Sequence, residues 1–237
     1  MRKYLVAGVA ATTALAFGAT AVVAQTPEAT MTVSVSPTKA GTKQKPKSEK
    51  LTLTIVNSNT QRSASALDIK APGTIKLSGK GLPKCSATKL DTQGKAVCPK
   101  QSNVGGGSAS ALLGVNTPAP QQLHFKVTAF VGGPKSINFY LEGVEQRGIK
   151  IVAPGTIKGQ TLHVDIPQAA QQPITGVWAG LESLTTTISK KIGSHAVVSS
   201  NGCKSKKHKF TTTITFADNG VAPPGTVTVS APATCRK

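Results

Sequence analysis

Residues 123–141 read LHFKVTAFVGGPKSINFYL, two runs in which apolar and polar side chains alternate, separated by a glycine- and proline-rich turn. The apolar positions are Leu123, Phe125, Val127, Ala129 and Val131 in the first run, followed by Ile137, Phe139 and Leu141 in the second. A period of two is typical of a strand with one buried face, and Gly132-Gly133-Pro134 indicates a turn. This stretch therefore predicts an antiparallel β-hairpin.

The same alternation recurs along the rest of the chain. It is present in residues 31–35, 51–55, 162–166, 210–216 and 227–231, with shorter candidates between them. Only Ser86 to Leu90 has a helical pattern, so the crossover helices of a doubly wound α/β fold are missing. Short strands at this spacing predict an all-β fold, an antiparallel β-sandwich with Greek-key, immunoglobulin-like or jelly-roll-like connections.

One hexapeptide occurs twice. Ala-Pro-Gly-Thr-Ile-Lys stands at residues 71–76 and again at residues 153–158. Duplication would predict two related halves, 30–117 and 118–237, each with the same Pro-Gly turn between strands. Independent use of a favourable turn sequence would predict the same repeat within one domain, because Pro-Gly suits tight turns.

The first 24 residues have the organisation of a secretory signal peptide. Arg2 and Lys3 precede an uncharged apolar run from Leu5 to Ala24 that ends in small residues. We expect residues 1–24 to form a signal helix that is cleaved, leaving an exported domain of residues 25–237. An uncleaved N-terminal anchor is the alternative, since twenty apolar residues can span a bilayer. No second stretch is long enough for a membrane span.

The charge balance is strongly basic. The chain has 28 Lys and Arg residues against nine Asp and Glu residues, a net charge of +19. Such a charge favours acidic partners, which outside a cell include wall polymers and acidic polysaccharides. The lysines are spread along the chain. They are therefore also consistent with a surface on which they only keep the protein soluble and prevent exposed edge strands from pairing with other chains. The few aromatic residues argue against specific nucleic-acid binding.

The densest basic run is Lys204-Ser205-Lys206-Lys207-His208-Lys209. A cysteine precedes it and a predicted strand follows it, so its ammonium groups are expected to stay close together. We interpret Lys204, Lys206, Lys207 and Lys209 as a candidate polyanion-binding site. A basic loop that simply faces water is the alternative interpretation.

Four cysteines allow three disulfide pairings. Proximity in the chain favours Cys85 with Cys98 and Cys203 with Cys235. The spacing lacks the close cysteine pairs of a zinc site, and the four histidines are isolated in sequence, so we expect no metal site. No phosphate-binding loop follows Gly105 to Gly107, which we interpret as a turn or bulge, and no cofactor is expected.

The cysteine-containing segments resemble a group of uncharacterised secreted proteins of actinobacterial type. The shared pattern is Leu82-Pro83-Lys84-Cys85, then Cys98-Pro99, then Ser102-Asn103-Val104-Gly105, with a second cysteine pair near the C-terminus. The resemblance implies an exported β-sandwich with two local disulfides and no assigned chemistry. This chain differs from the group at Asn103, where a basic residue is commoner, and at Lys204–Lys209, where an aromatic residue is commoner.

Three functions therefore remain open from the sequence. The first is a secreted, non-enzymatic protein that binds acidic cell-wall or extracellular polymers through lysines, and the second is a passive structural or adhesive protein. The third is a carbohydrate-active enzyme, for which Glu142 with Glu145 or Asp165 with Glu182 are the nameable carboxylate pairs. No catalytic residue is assigned, and the oligomeric state is not predicted beyond weak association at most.

Overall fold

The computed structural model describes residues 28–237. The predicted signal peptide, residues 1–24, lies outside this range. In the described part of the chain, no helix is long and apolar enough to cross a membrane.

The described chain is all-β, as the alternating pattern predicts. Two short α-helices and two single-turn 3-10 helices interrupt the strands. The helices are α1 (Ala87–Gln93) and α2 (Gln168–Gln171). The strands are β1 (Ala29–Ser36), β2 (Lys47–Ser48), β3 (Lys50–Asn57), β4 (Ala64–Lys70), β5 (Ile75–Leu77), β6 (Asn103–Leu113), β7 (Gln121–Gly133), β8 (Ser136–Gly143), β9 (Lys150–Ala153), β10 (Gly155–Lys158), β11 (Thr161–Asp165), β12 (Ala179–Ile188), β13 (Lys191–Ile192), β14 (His195–Ala196), β15 (Val198–Ser200), β16 (Lys207–Phe216) and β17 (Gly225–Thr234).

One long antiparallel sheet forms most of the molecule. Its strand order is β1-β3-β12-β6-β7-β8-β10-β11-β4-β16-β17, and β9 pairs with β8 as a twelfth strand. The terminal strands β1 and β17 contact each other, so the sheet folds back on itself and is nearly closed. The two layers expected of a sandwich thus come largely from a single continuous sheet, with small sheets β2-β15-β5 and β13-β14 added at its border.

The predicted hairpin at residues 123–141 is present as β7 and β8. Val127 is opposite Leu141, Ala129 is opposite Phe139, and Val131 is opposite Ile137. These apolar residues are buried or half-buried and join a core to which nearly every strand of the large sheet contributes. The apolar face that the alternation predicts is therefore the face of this hairpin that packs into the core.

The glycine run at residues 105–107 belongs to β6. A register shift between Asn103 and Gly105 forms the expected bulge, but Gly106 and Gly107 continue the strand and pair with Thr128 and Val127. A Cβ atom on Gly107 would lie 1.9 Å from the carbonyl oxygen of Thr185 on the neighbouring strand β12. Glycine is needed here because the two backbones approach too closely for any side chain.

The repeated hexapeptide has two different structures, which corrects the expectation of the same turn in each half. In the first copy, Ile75 N donates to the carbonyl of Pro72, closing a turn before β5. In the second copy, Gly155 is a buried residue of β10 and pairs with Val164. The neighbours in the sheet, rather than the local sequence, select the conformation of the second copy.

The first disulfide anchors the short helix α1. Cys85 is bonded to Cys98, and Ser86 caps the helix by accepting a hydrogen bond from Lys89 N at 3.3 Å. Leu90 on α1 packs with Cys85 and with two aromatic residues of the hairpin, Phe130 and Tyr140. This satellite cluster fixes the segment outside the main core.

Candidate functional site

A wide cleft lies beside the small sheet β2-β15-β5, where four segments of the chain meet. Its volume is about 960 Å³. Residues 39–43, 72–74, 201–205, 207 and 209 form its walls, together with the C-terminal residue. We call it the lysine cleft, after the six lysines in its lining, which are Lys39, Lys43, Lys204, Lys207, Lys209 and Lys237.

The C-terminal segment is held against the first wall by backbone hydrogen bonds. Ala40 N donates to the carbonyl of Arg236 at 2.8 Å, and Arg236 N donates to the carbonyl of Thr38 at 2.7 Å. These two bonds place the lysines at positions 39 and 237, almost two hundred residues apart in sequence, at the same cleft.

The second disulfide joins the C-terminal segment to the basic run. Cys203 is bonded to Cys235, with 5.8 Å between their Cα atoms, and both pack against Ala40 in a small buried cluster. Cys235 N also donates to the carbonyl of Lys206 at 3.0 Å. The two predicted local disulfides are therefore both present, and this one contributes Cys203 to the lining of the cleft.

A tight turn at residues 204–207 orients the basic run. Lys207 N donates to the carbonyl of Lys204 at 3.2 Å. The two central residues, Ser205 and Lys206, have φ angles of 53° and 58°. These angles lie in the left-handed region, which residues other than Gly, Asn and Asp rarely adopt. Lys204 and Lys207 line the cleft on either side of this turn, whereas exposed Lys206 does not.

Buried His208 contacts the cleft wall at Thr74. Its side chain is only 1% exposed, and Nδ1 lies 2.9 Å from the hydroxyl of Thr74, a cleft residue. Burial lowers the pKa of His208, so the imidazole is neutral at pH 7. The positive charge of the cleft therefore comes from its lysines and not from this histidine.

A buried serine and glutamate brace the first wall. Gly41 N donates to Ser200 Oγ at 3.0 Å, and the Ser200 hydroxyl donates to Glu49 Oε1. Burial raises the pKa of the Glu49 carboxyl group, and the hydrogen bond from Ser200 partly offsets that rise. Glu49 lies behind the cleft wall and is not part of the lining.

Five carboxylates of the described chain form ion pairs or hydrogen bonds away from the cleft. Glu28 pairs with Arg62, Glu142 with Lys95, and Glu145 with His124, while Asp68 and Asp165 both bond His163. Within residues 28–237, no Asp or Glu side chain lines the cleft. Six lysines of the described chain thus line a shared space, and no Asp or Glu side chain is among the lining residues to neutralise them.

The structure places the four predicted lysines unequally. Lys204, Lys207 and Lys209 lie in the cleft, and Lys206 points elsewhere on the surface. Sequence reasoning missed Lys39, Lys43 and Lys237 as partners of this run. The lysine-rich segment 36–50 was a visible signal, but its closeness to residues 201–209 depends on the three-stranded sheet and on the Cys203–Cys235 bond.

Candidate catalytic and metal groups do not assemble at the cleft. The carboxylates nameable from the sequence, Glu142, Glu145, Asp165 and Glu182, are absent from its lining. Over residues 28–237, no group of three or more His, Cys, Asp and Glu side chains is close enough together to hold a metal ion.

Comparison with known proteins found no matching family model, no matching curated protein and no matching solved structure.

Proposed function

We propose that this protein is secreted and acts without catalysis, binding an acidic cell-wall or extracellular polymer through the lysine cleft. The observation that carries the proposal is the convergence of six lysines from three distant chain segments around one space of about 960 Å³. Lysines that only keep a surface soluble would not need to lie around one shared space.

The size of the cleft supports a polymer segment as the ligand. Sites for small molecules typically enclose about 300–1,000 Å³, so this cleft is at the upper end of that range and is open to solvent. Like charges gathered at a concave surface focus the electrostatic potential and raise the local concentration of polyanions.

The type of cationic side chain also supports a ligand that carries many acidic groups along its chain. Lysine is a flexible point charge, whereas arginine provides the rigid fork that recognises single carboxylates or phosphates in a bidentate way. The cleft is lined by lysine and by no arginine of the described chain. We therefore infer that affinity comes from many weak, salt-sensitive contacts along a chain of anions.

Two disulfides support the proposed location. Disulfides form and persist in oxidising compartments, and the described chain has no free cysteine. Together with the signal-like N-terminus, this favours export.

The test is retention of the protein on immobilised polygalacturonate and on immobilised teichoic acid, which present carboxylate and phosphate charges respectively. Replacing Lys39, Lys43, Lys204, Lys207 and Lys209 by Ser is expected to weaken binding about tenfold or more at low salt. Exposed charges are screened within about 8 Å at physiological ionic strength, so binding of the unmodified protein should fall steeply between 50 and about 300 mM salt.

A matched control removes the same charge elsewhere. Lys84, Lys89, Lys100, Lys135 and Lys158 are exposed and lie outside the cleft, so their replacement by Ser should weaken binding no more than about threefold. Lys206→Ser serves as a single-site control for Lys207→Ser, its neighbour in the cleft. Equal losses in the two fivefold variants would show that only net charge matters and would refute the cleft as the site.

A further inference from the structure

Glu49 is a buried carboxyl group directly behind the first wall of the lysine cleft. It lies between β2 and β3, is only 2% exposed, and its backbone N–H donates to the carbonyl of Val198 on β15 at 2.9 Å. Carboxyl groups are almost never fully buried unless they are paired. The burial of this one therefore points to a role beyond packing.

Only one of the two carboxyl oxygens of Glu49 has a partner in the described chain. Oε1 accepts the hydrogen bond from the Ser200 hydroxyl, whereas Oε2 makes no hydrogen bond and is shielded from solvent. An oxygen without a partner is tolerated far better in a neutral carboxylic acid than in a carboxylate, because an unpaired charge costs more to bury than a dipole. This environment favours the protonated form, and burial raises the pKa of Glu49 accordingly.

The hydrogen bonds of Ser200 connect this carboxyl group to the cleft. Ser200 Oγ accepts a hydrogen bond from Gly41 N at 3.0 Å, and Gly41 lines the cleft. The wall is tightly packed here, since a Cβ atom on Gly41 would lie between 2.4 and 2.7 Å from three backbone atoms of neighbouring segments. Lys39 and Lys43 stand two residues to either side, so a movement of this wall moves two of the six cleft lysines.

Few charged groups surround the Glu49 carboxyl group. Lys47 of β2 pairs with Ser200 and shares its face of the small sheet, and its positive charge partly offsets the effect of burial on the pKa of Glu49. The strand β15 carries no ionisable side chain, and Lys76 of β5 stands opposite its central residue, on the other face. His208 bonds the residue just before β5 and is neutral at pH 7, because burial lowers its pKa.

We propose that protonation of Glu49 is a switch for the first wall of the lysine cleft: the neutral acid keeps the wall closed, and the ionised form releases it. Ionisation places a negative charge on a buried oxygen without a partner, and opening of residues 39–47 removes that cost by admitting water. Because the pKa of Glu49 is raised in the closed wall, the closed form is most stable at pH 4.5 and below, and it loses stability as the pH rises through the raised pKa.

The switch predicts tighter polymer binding at acidic pH, when all six cleft lysines are held around one space. That functional consequence rests on the proposed polymer binding, whereas the movement of the wall does not. The two are therefore tested separately.

Amide hydrogen exchange tests the switch without any polymer. After correction for the intrinsic pH dependence of exchange, the amides of Ala40 and Gly41 are expected to open about tenfold more often at pH 8 than at pH 4.5, while those of β7 stay unchanged. Glu49→Gln keeps an acceptor for Ser200 but cannot ionise, so it should abolish the difference. Equal opening at both pH values in the unmodified protein, or the same difference in Glu49→Gln, would overturn the proposal.

Two further variants control for lost charge and test the link through Ser200. Glu182→Gln removes a carboxylate outside the cleft and should keep the tenfold difference. Ser200→Ala removes the connection between Glu49 and Gly41, so at pH 4.5 its wall should open as often as that of the unmodified protein at pH 8. A wall that stays closed in Ser200→Ala at pH 4.5 would overturn the assigned mechanism, whether or not Glu49→Gln folds.

Retention on immobilised dextran sulfate measures the effect on binding, because sulfate esters stay ionised from pH 4.5 to 8. Surface histidines titrate in this range, so variants are compared at the same pH. Glu49→Gln should bind about threefold more tightly than the unmodified protein at pH 8 and equally at pH 4.5, whereas Glu182→Gln should differ by no more than about 1.5-fold at either pH.

The two measurements distinguish the possible failures. If the wall opens with pH as expected but no form of the protein is retained at either pH, the proposed polymer binding is wrong and the switch stands. If the polymer is retained but Glu49→Gln and the unmodified protein bind equally at pH 8, the switch does not control the cleft and this inference is refuted.

Discussion

At the level of single residues, two histidines illustrate how the environment, not the residue type, sets a charge. His163 is half-exposed, with Asp68 at 2.8 Å from Nδ1 and Asp165 at 3.0 Å from Nε2. The hydrogen bond to Asp68 is the main cause that raises the pKa of His163 above 6.5, and the bond to Asp165 adds to it. The two carboxylates therefore stabilise the imidazolium form.

We predict that His163 remains protonated above pH 6.5 in the folded protein. Its contribution to stability is fully present below pH 6.5 and is lost as the pH rises through the raised pKa. An NMR titration of the ring protons measures the midpoint, and Asp68→Asn should lower it. A midpoint at or below 6.5 in the unmodified protein would contradict the assigned ion pairs.

The opposite behaviour is predicted for His208. Because burial lowers its pKa below 6.5, the folded protein holds it neutral while the unfolded chain binds a proton more readily. Its stabilising effect is present above pH 6.5 and is lost as the pH falls toward the lowered pKa. The same titration should show its ring signals unchanged between pH 8 and 6.5, and an early shift in this range would contradict its burial.

At the level of elements, the two disulfides hold different parts of the structure together. The Cys203–Cys235 bond joins the C-terminal segment to the basic run at the lysine cleft, whereas the Cys85–Cys98 bond anchors α1 on the hairpin of β7 and β8. Both reduce the conformational freedom of the unfolded chain. Only the first also brings together residues that line the cleft.

Replacing Cys203 and Cys235 by Ser is expected to lower the free energy of unfolding by about 3.5–4 kcal/mol, as the chain-entropy model gives for a loop of this length. Replacing Cys85 and Cys98 by Ser should cost about 3 kcal/mol. Urea unfolding measures both changes. Below the denaturation midpoint, only the first variant should lose polymer retention, and full retention by it would contradict the structural role assigned to this disulfide.

For the molecule as a whole, strands from the two parts of the chain, residues 30–117 and 118–237, are interleaved in one sheet. Strand β4, from the first part of the chain, lies between β11 and β16 from the second part. The main core likewise combines residues from both parts, such as Leu67 and Val164. We therefore expect that residues 30–117 and 118–237 do not each bury their apolar faces without the other.

Unfolding of the full protein in urea is therefore predicted to be a single transition. Far-UV circular dichroism and the fluorescence of Trp178, which lies in the second part, should give the same midpoint. Separate fragments covering residues 30–117 and 118–237 should remain unfolded. Two distinct midpoints, or a folded fragment, would instead support two autonomous halves.

Alternation and turn residues were sufficient to predict the all-β class and the β7–β8 hairpin, because side chains on a strand point to opposite faces in turn. The same local rules found the two disulfide pairs by proximity and the helical turn after Ser86. Each of these features depends on residues that are close together in the chain.

The lysine cleft could not be found in this way. Lys39 and Lys237 meet Lys204 only because Arg236 pairs with residues 38–40 and a disulfide closes the same corner. Long-range strand pairing brought these groups together, and nothing in the local pattern of residues encodes which distant strand becomes a neighbour.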